Sequence, residues 1–210
     1  MYKFNKTIAV TGGIGSGKST VCKIIKENGF KVINTDKITK KLSEPGGRGY
    51  FKLIKLFGKD IVQKDKRLDR DKIKQKILSN PSLKKELENL LHPIILKEVE
   101  KEIQLLRSKN YDKYIFVEVP LLFEAGWDKF FSHIILVKAP IKKRIERIKR
   151  TRNMNSYQIL SFIKSQLPDH EKEKKATWII NNDKSLEELK TQVKKFLKDL
   201  ESKYESDISR

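Results

Sequence analysis

The sequence predicts an α/β fold, a five-stranded parallel sheet covered by helices, and three observations predict it. Five short runs rich in Ile and Val are nearly continuous in apolar character rather than alternating: TIAVT (7–11), KVIN (31–34), YIFVEV (114–119), HIILVK (133–138) and WIIN (178–181). Strands buried on both faces of a parallel sheet have that pattern. Helical stretches separate the runs, as parallel strands joined by right-handed crossovers require. A ten-residue segment, TGGIGSGKST (11–20), joins the first run to the first helix.

The remaining elements follow in order. The helix after the glycine segment is expected to begin at about Lys18, with Gly29 as its C-terminal stop. Residues 40 to 110 are too many for one crossover and carry several amphipathic stretches. Leu53, Ile54, Leu56 and Phe57 form one apolar stripe. Leu87, Leu90, Leu91, Ile94 and Ile95 form another, continued by Val99, Ile103 and Leu106. EPGGRG (44–49) and SNPS (79–82) break the pattern. This region reads as a helical insertion between strands 2 and 3. A second insertion, strongly basic at its start, begins at 141, with Ile141, Ile145 and Ile148 expected to pack inward. A last helix is expected from 185 to about 204, with ESDISR fraying beyond it.

Composition bounds the function. A chain of 210 residues suits one domain with a subdomain, and 38% apolar content supplies a core. No apolar run approaches the ~20 residues of a membrane span. The start, MYKFNKTIAVTGG, carries no signal-peptide pattern, and the single Cys22 cannot form an internal disulfide. A cytoplasmic protein is expected. The formal charge of +20 raises the question of a nucleic-acid partner. Such a partner calls for a basic stripe interleaved with aromatics, whereas the lysines here are spread along the chain. Nucleic acid and membrane are therefore not expected as partners, and oligomeric state stays open.

The glycine segment fits G-x-x-x-x-G-K-[ST] through Gly12, Gly17, Lys18 and Ser19. Backbone N–H groups at Gly13, Ile14, Gly15, Ser16 and Gly17 can converge on phosphate oxygens where Cβ atoms would obstruct them. The helix N-terminus favours the same anion. Lys18 is expected to reach the outer phosphates, Ser19 to ligate Mg2+, and Thr20 to cap the helix or touch the inner phosphate. The ligand expected is a nucleoside triphosphate. The sequence has no N-K-x-D guanine motif, and the apolar run at 114–119 holds one acid, Glu118, where motor ATPases have two. A small kinase fits better. Asp36, just past the second run, stands where ligands bind in such sheets. It can take the proton of an acceptor hydroxyl, or it can simply cap the following helix.

Read together, TGGIGSGKST, VINTD, LSEPGG, LDR (68–70), LLHPII (90–95), EVPLLFEAG (118–126), QLPDHEK (166–172) and WIINN (178–182) resemble, in order, the signatures of the dephospho-CoA kinase family, over roughly residues 7 to 200. The loop alone is generic. The combination of His-Pro, PLLFE and Q-x-P-x-x-x-K is specific. The resemblance implies transfer of phosphate from ATP to the ribose 3′-hydroxyl of dephospho-CoA. It also implies a phosphate-loop kinase core (about 7–39, 111–140 and 176–204), a helical acceptor-side insertion (about 40–110) and a lid (about 141–170). It favours Asp36 as general base and assigns Glu118 to Mg2+ through water. Arg70, His92, Leu121, Phe123 and Glu124 fall to the acceptor. Two departures stand out. Asn34 replaces the first acid of the usual D-A-D, and Phe162 replaces the arginine four residues before the lid glutamine. The lid's cation must then come from KKRIERIKRTR, where Arg144, Arg147, Arg150 and Arg152 are available; Arg150 and Arg152 are the expected catalytic pair. Asn182 is a candidate adenine contact, and His133 and His170 are expected to be structural or exposed.

Overall fold

The computed structural model describes residues 4–152 and 154–208. Its five strands are β1 (Phe4–Thr11), β2 (Lys31–Asn34), β3 (Ile115–Glu118), β4 (Phe131–Lys138) and β5 (Trp178–Asn181). They form one parallel sheet in the order β2-β3-β1-β4-β5. β1 lies at its centre, with Val10 level with Glu118 of β3 and Ile135 of β4. Each strand overlaps a run read from the sequence, though β1 begins three residues earlier and β4 two.

The chain divides into two compact units. One runs to Ile33 and resumes at Asp112; the other is Asn34–Tyr111. The first holds the sheet with α1 (Lys18–Glu27), α6 (Ile141–Thr151), α7 (Ser156–Lys164), α8 (Asp169–Lys175) and α9 (Leu186–Ile208). One apolar cluster is built by α1 (Val21, Ile24, Ile25), α9 (Leu189, Val193, Leu197) and the strand residues Ile8, Phe116, Ile135 and Ile180. Burying an aliphatic side chain contributes about 1.5–3 kcal/mol, so this face holds the sheet and α1 together. Cys22 belongs to the same cluster. Burial and the neighbouring Glu118 push its thiol far above the usual range, which makes it an inert packing group. His133 packs on Trp178, ring centroids 5.0 Å apart. α9 runs four residues past the expected end; Ser209 and Arg210 of the expected frayed tail lie outside the described residues.

The second unit is helical: α2 (Thr35–Ser43), α3 (Tyr50–Phe57), α4 (Arg70–Ser79) and α5 (Ser82–Ser108). The two glycine and proline breaks fall between α2 and α3 and between α4 and α5. α5 is continuous through Pro93 and buries Leu91, Ile95, Val99 and Ile103, a stripe at i, i+4, i+8 and i+12 that packs on α2, α3 and α4. His92 therefore sits inside a helix. Asn34 settles the other reading of Asp36: its side chain accepts from Lys37 N at 2.8 Å and caps α2. Asp36 lies exposed in the first turn instead.

Candidate active site

The segment 12–17 turns from the carboxyl end of β1 into the N-terminus of α1. Gly17 at φ 95° starts α1 with no side-chain cap and no acidic residue in the first turn. Both features leave the positive end of the helix to an anion.

What the loop touches on its outer side was not expected from the sequence. Arg144 of α6 is 3% exposed. Its Nε donates to Ile14 O at 2.8 Å, and one terminal nitrogen donates to Asp169 at 3.1 Å. Burial lowers its pKa from the ordinary value, and Asp169 opposes the shift. Arg147, one turn on, donates to Ser16 O at 3.4 Å and to Asn182 O at 2.9 Å. Asn182 donates through Nδ2 to Ser16 O at 2.8 Å. In a planar trans peptide, the C=O of one residue and the N–H of the next point in opposite directions. Holding the Ile14 and Ser16 carbonyls outward therefore turns the N–H groups of Gly15 and Gly17 inward, as an anion cradle requires. Arg144, Arg147 and Asn182 set the polarity of the loop.

The close packing also gives some of the glycines a second reason. A Cβ on Gly13 would lie 2.2 Å from an Arg144 terminal nitrogen, and one on Gly17 would lie 2.0 Å from Asn182 Nδ2. On the inner side, Lys18 Nζ donates to Gly12 O at 2.7 Å and Gly13 O at 3.2 Å. Ser16 Oγ is buried and has no hydrogen-bond partner among the described residues. Ser19 is exposed in the first turn of α1, and Glu118 is buried at the end of β3.

The structure thus brings Gly13 to Thr20 together with Asn182, but Asn182 faces the loop. Arg150 and Arg152 are exposed at the end of α6, and the arginines beside the loop are Arg144 and Arg147. The apolar phase of α6 differs from the expected one for the same reason: Arg144 and Ile148 are its buried residues, while Ile141 is 52% exposed. Glu124 is tied to the segment after α7. It accepts from Leu167 N at 3.0 Å and pairs at 2.8 Å with Lys172, which is fully buried. In the same turn, Phe123 is buried and Leu121 exposed. Asp36, Arg70 and His92 belong to the helical unit, at the starts of α2 and α4 and inside α5; burial lowers the His92 pKa. Gln166, Asp169 and Lys172 were not singled out from the sequence as functional. Their signal was the Q-x-P-x-x-x-K spacing.

A five-stranded parallel sheet with a G-x-x-x-x-G-K-S loop between its central strand and a capless helix defines a phosphate-loop kinase of the small, helix-inserted type. A family model described as dephospho-CoA kinase matches residues 6–188. The dephospho-CoA kinase of Carboxydothermus hydrogenoformans is 36% identical over 89% of this chain and 90% of its own length. That of Fusobacterium nucleatum is 38% identical over 90% and 95%. The solved dephospho-CoA kinase of Campylobacter jejuni superposes with a TM-score of 0.69 at 30% identity, covering 92% of this chain and 96% of that one. This chain belongs to the dephospho-CoA kinase family.

Proposed function

We propose that this chain transfers the γ-phosphoryl group of ATP to the ribose 3′-hydroxyl of dephospho-CoA, giving coenzyme A and ADP, with Asp36 as general base. The observation that carries the reading is the phosphate loop and its helix in a chain that the family model spans from residue 6 to 188.

The loop from Gly13 to Thr20 cradles the triphosphate, with the inward N–H groups of Gly15 and Gly17 and those of Lys18 and Ser19 on the phosphates, while the Ile14 N–H is engaged by Gln166. Lys18 leaves its carbonyl perch to follow the transferring group, and its charge offsets what develops there. Asp36 follows the carboxyl end of β2. It is exposed, and Asn34 already caps α2, so its carboxylate is available to orient the acceptor hydroxyl and accept its proton. Arg70, His92, Leu121, Phe123 and Glu124 serve the acceptor. Arg150 and Arg152 bring cationic charge to the phosphates. A cleft lined by Lys138, Ala139, Pro140, Asn181 and Asp183 opens at the carboxyl ends of β4 and β5 and suits the adenine of ATP.

Among the described residues, no group of three or more His, Cys, Asp or Glu side chains could hold a metal. Magnesium carried on substrate phosphates needs no such group, since it keeps several waters and takes one or two protein oxygens. The Ser19 hydroxyl would hold it directly and Glu118 through water, and both are hard oxygen donors that fit. When bound, it neutralises charge on the phosphates. No helix among the described residues is long and apolar enough to cross a membrane, and we assign the reaction to the cytoplasm.

The test is ADP release from ATP and Mg2+ with dephospho-CoA present or omitted, the product checked for coenzyme A by mass. ADP and coenzyme A are expected together, and only with the acceptor. ADP without coenzyme A would overturn the assignment.

A further inference from the structure

The Gly13–Ile14 peptide faces opposite to the Ile14–Gly15 peptide that follows it, whose oxygen is held outward by Arg144. Ile14 N donates outward to Gln166 Oε1 at 3.0 Å. The Gly13 carbonyl in the same planar peptide must then point inward, and there Lys18 Nζ meets it at 3.2 Å. Gln166 thus helps fix the orientation of one of the two loop peptides whose oxygens, those of Gly12 and Gly13, face the lysine, while Ser16 N donates to the Gly13 oxygen at 3.1 Å. It also holds one end of Ile14 while Arg144 holds the other. Without Gln166 that peptide is held on its oxygen side alone, by Ser16 N and Lys18, and rotation would take away a carbonyl on which Lys18 rests.

Gln166 is itself held. The next residue, Leu167, donates its N–H to Glu124 Oε1 at 3.0 Å, and Asp169 pairs with Arg144 at 3.1 Å. Lys172, fully buried, pairs with Glu124 at 2.8 Å. The turn from Gln166 to Asp169 is therefore pinned to the PLLFE turn on one side and to α6 on the other. A glutamine on a free loop would hold nothing.

We propose that Gln166 is a positioning residue for ATP: through the Gly13–Ile14 peptide it sets the phosphate loop and the resting place of Lys18, without itself touching substrate. The inference deepens the proposed kinase reading and rests on it only for the identity of the nucleotide. Its test therefore reads nucleotide binding directly, apart from turnover. Gln166→Leu keeps the bulk and removes the acceptor; Gln166→Glu keeps an acceptor for Ile14 N. Binding of ATP and of dephospho-CoA is measured separately by calorimetry, at low salt and at about 0.5 M salt, where the added carboxylate charge is screened.

One backbone hydrogen bond is worth about 0.5–1.5 kcal/mol, so Gln166→Leu should weaken ATP binding roughly two- to twelvefold. Dephospho-CoA binding should stay as in the wild type. Gln166→Glu at high salt should bind ATP more tightly than Gln166→Leu. ATP binding unchanged in Gln166→Leu would overturn the inference, as would equal weakening toward both ligands, or a glutamate variant no better than the leucine one. Failure of the kinase reading would look different: the wild type would bind ATP but make no coenzyme A.

Discussion

Alanine at Gly13 tests whether the loop's glycines serve the protein or only its ligand. Its Cβ would meet an Arg144 terminal nitrogen at 2.2 Å, where ordinary contact begins near 3.4 Å. The guanidinium is the far end of a flexible side chain, but it is buried and held by bonds of 2.8 Å to Ile14 O and 3.1 Å to Asp169. Moving it by about an ångström takes both beyond hydrogen-bond range. Bonds from a charged donor are worth about 1.5–3 kcal/mol, so Gly13→Ala should cost roughly 2–3 kcal/mol. In a chain of this size that lowers the melting temperature by about 4–12 °C. The control is a double-mutant cycle. With Arg144→Ala the clash is gone, and Gly13→Ala should then cost less than about 1 kcal/mol, leaving a coupling near 2 kcal/mol. Urea and thermal melts of the four proteins without nucleotide supply every term. An equal cost of Gly13→Ala in both backgrounds would refute the packing argument.

Other outcomes follow from the same geometry. Lys18→Ala should lower coenzyme A formation by about 10²–10³-fold, read in the coupled ADP assay; near-normal turnover would remove the lysine from the chemistry. Asp36→Asn should leave ATP binding and the melting temperature unchanged while lowering turnover by about 10²–10⁴-fold. Asn34→Ala should do the opposite and cost about 1 kcal/mol of stability by uncapping α2. If Asp36→Asn destabilises the fold instead, the cap has been assigned to the wrong residue. Burial lowers the His92 pKa below 6.5, so the unfolded chain takes up that proton first. The stability His92 contributes is whole above pH 6.5 and is lost as the pH falls from there through the lower folded value. Melting His92→Gln beside the wild type from pH 7.5 to 5 should give a shallower decline, and an identical decline would exclude His92 as a source.

The strands were legible because parallel strands buried on both faces leave a continuous apolar signature, and the phosphate loop was legible because its spacing is set by the shape of an anion. α6 was misread because a buried arginine breaks the apolar period. Arg144 occupies the position that pattern analysis reserves for an aliphatic residue, and its partner Asp169 lies 25 residues away. The Asp36 ambiguity had a local cause. NTD offers two residues that cap helices equally well, and only backbone geometry tells that the chain enters α2 one residue after Asn34. Lys172 was legible only as the last residue of the Q-x-P-x-x-x-K spacing; its burial rests on the pair with Glu124, far earlier in the chain, which that spacing does not show.

The tight fit of Gly13 against Arg144 and of Gly17 against Asn182 has a consequence for descent. Selection on folding alone keeps these glycines, whether or not a nucleotide is ever bound. A descendant that lost the reaction but retained Arg144 and Asn182 would still carry both glycines. In such a lineage the loss would show first at Lys18, Ser19 and Asp36, so those three positions, rather than the glycines, would date the end of catalysis.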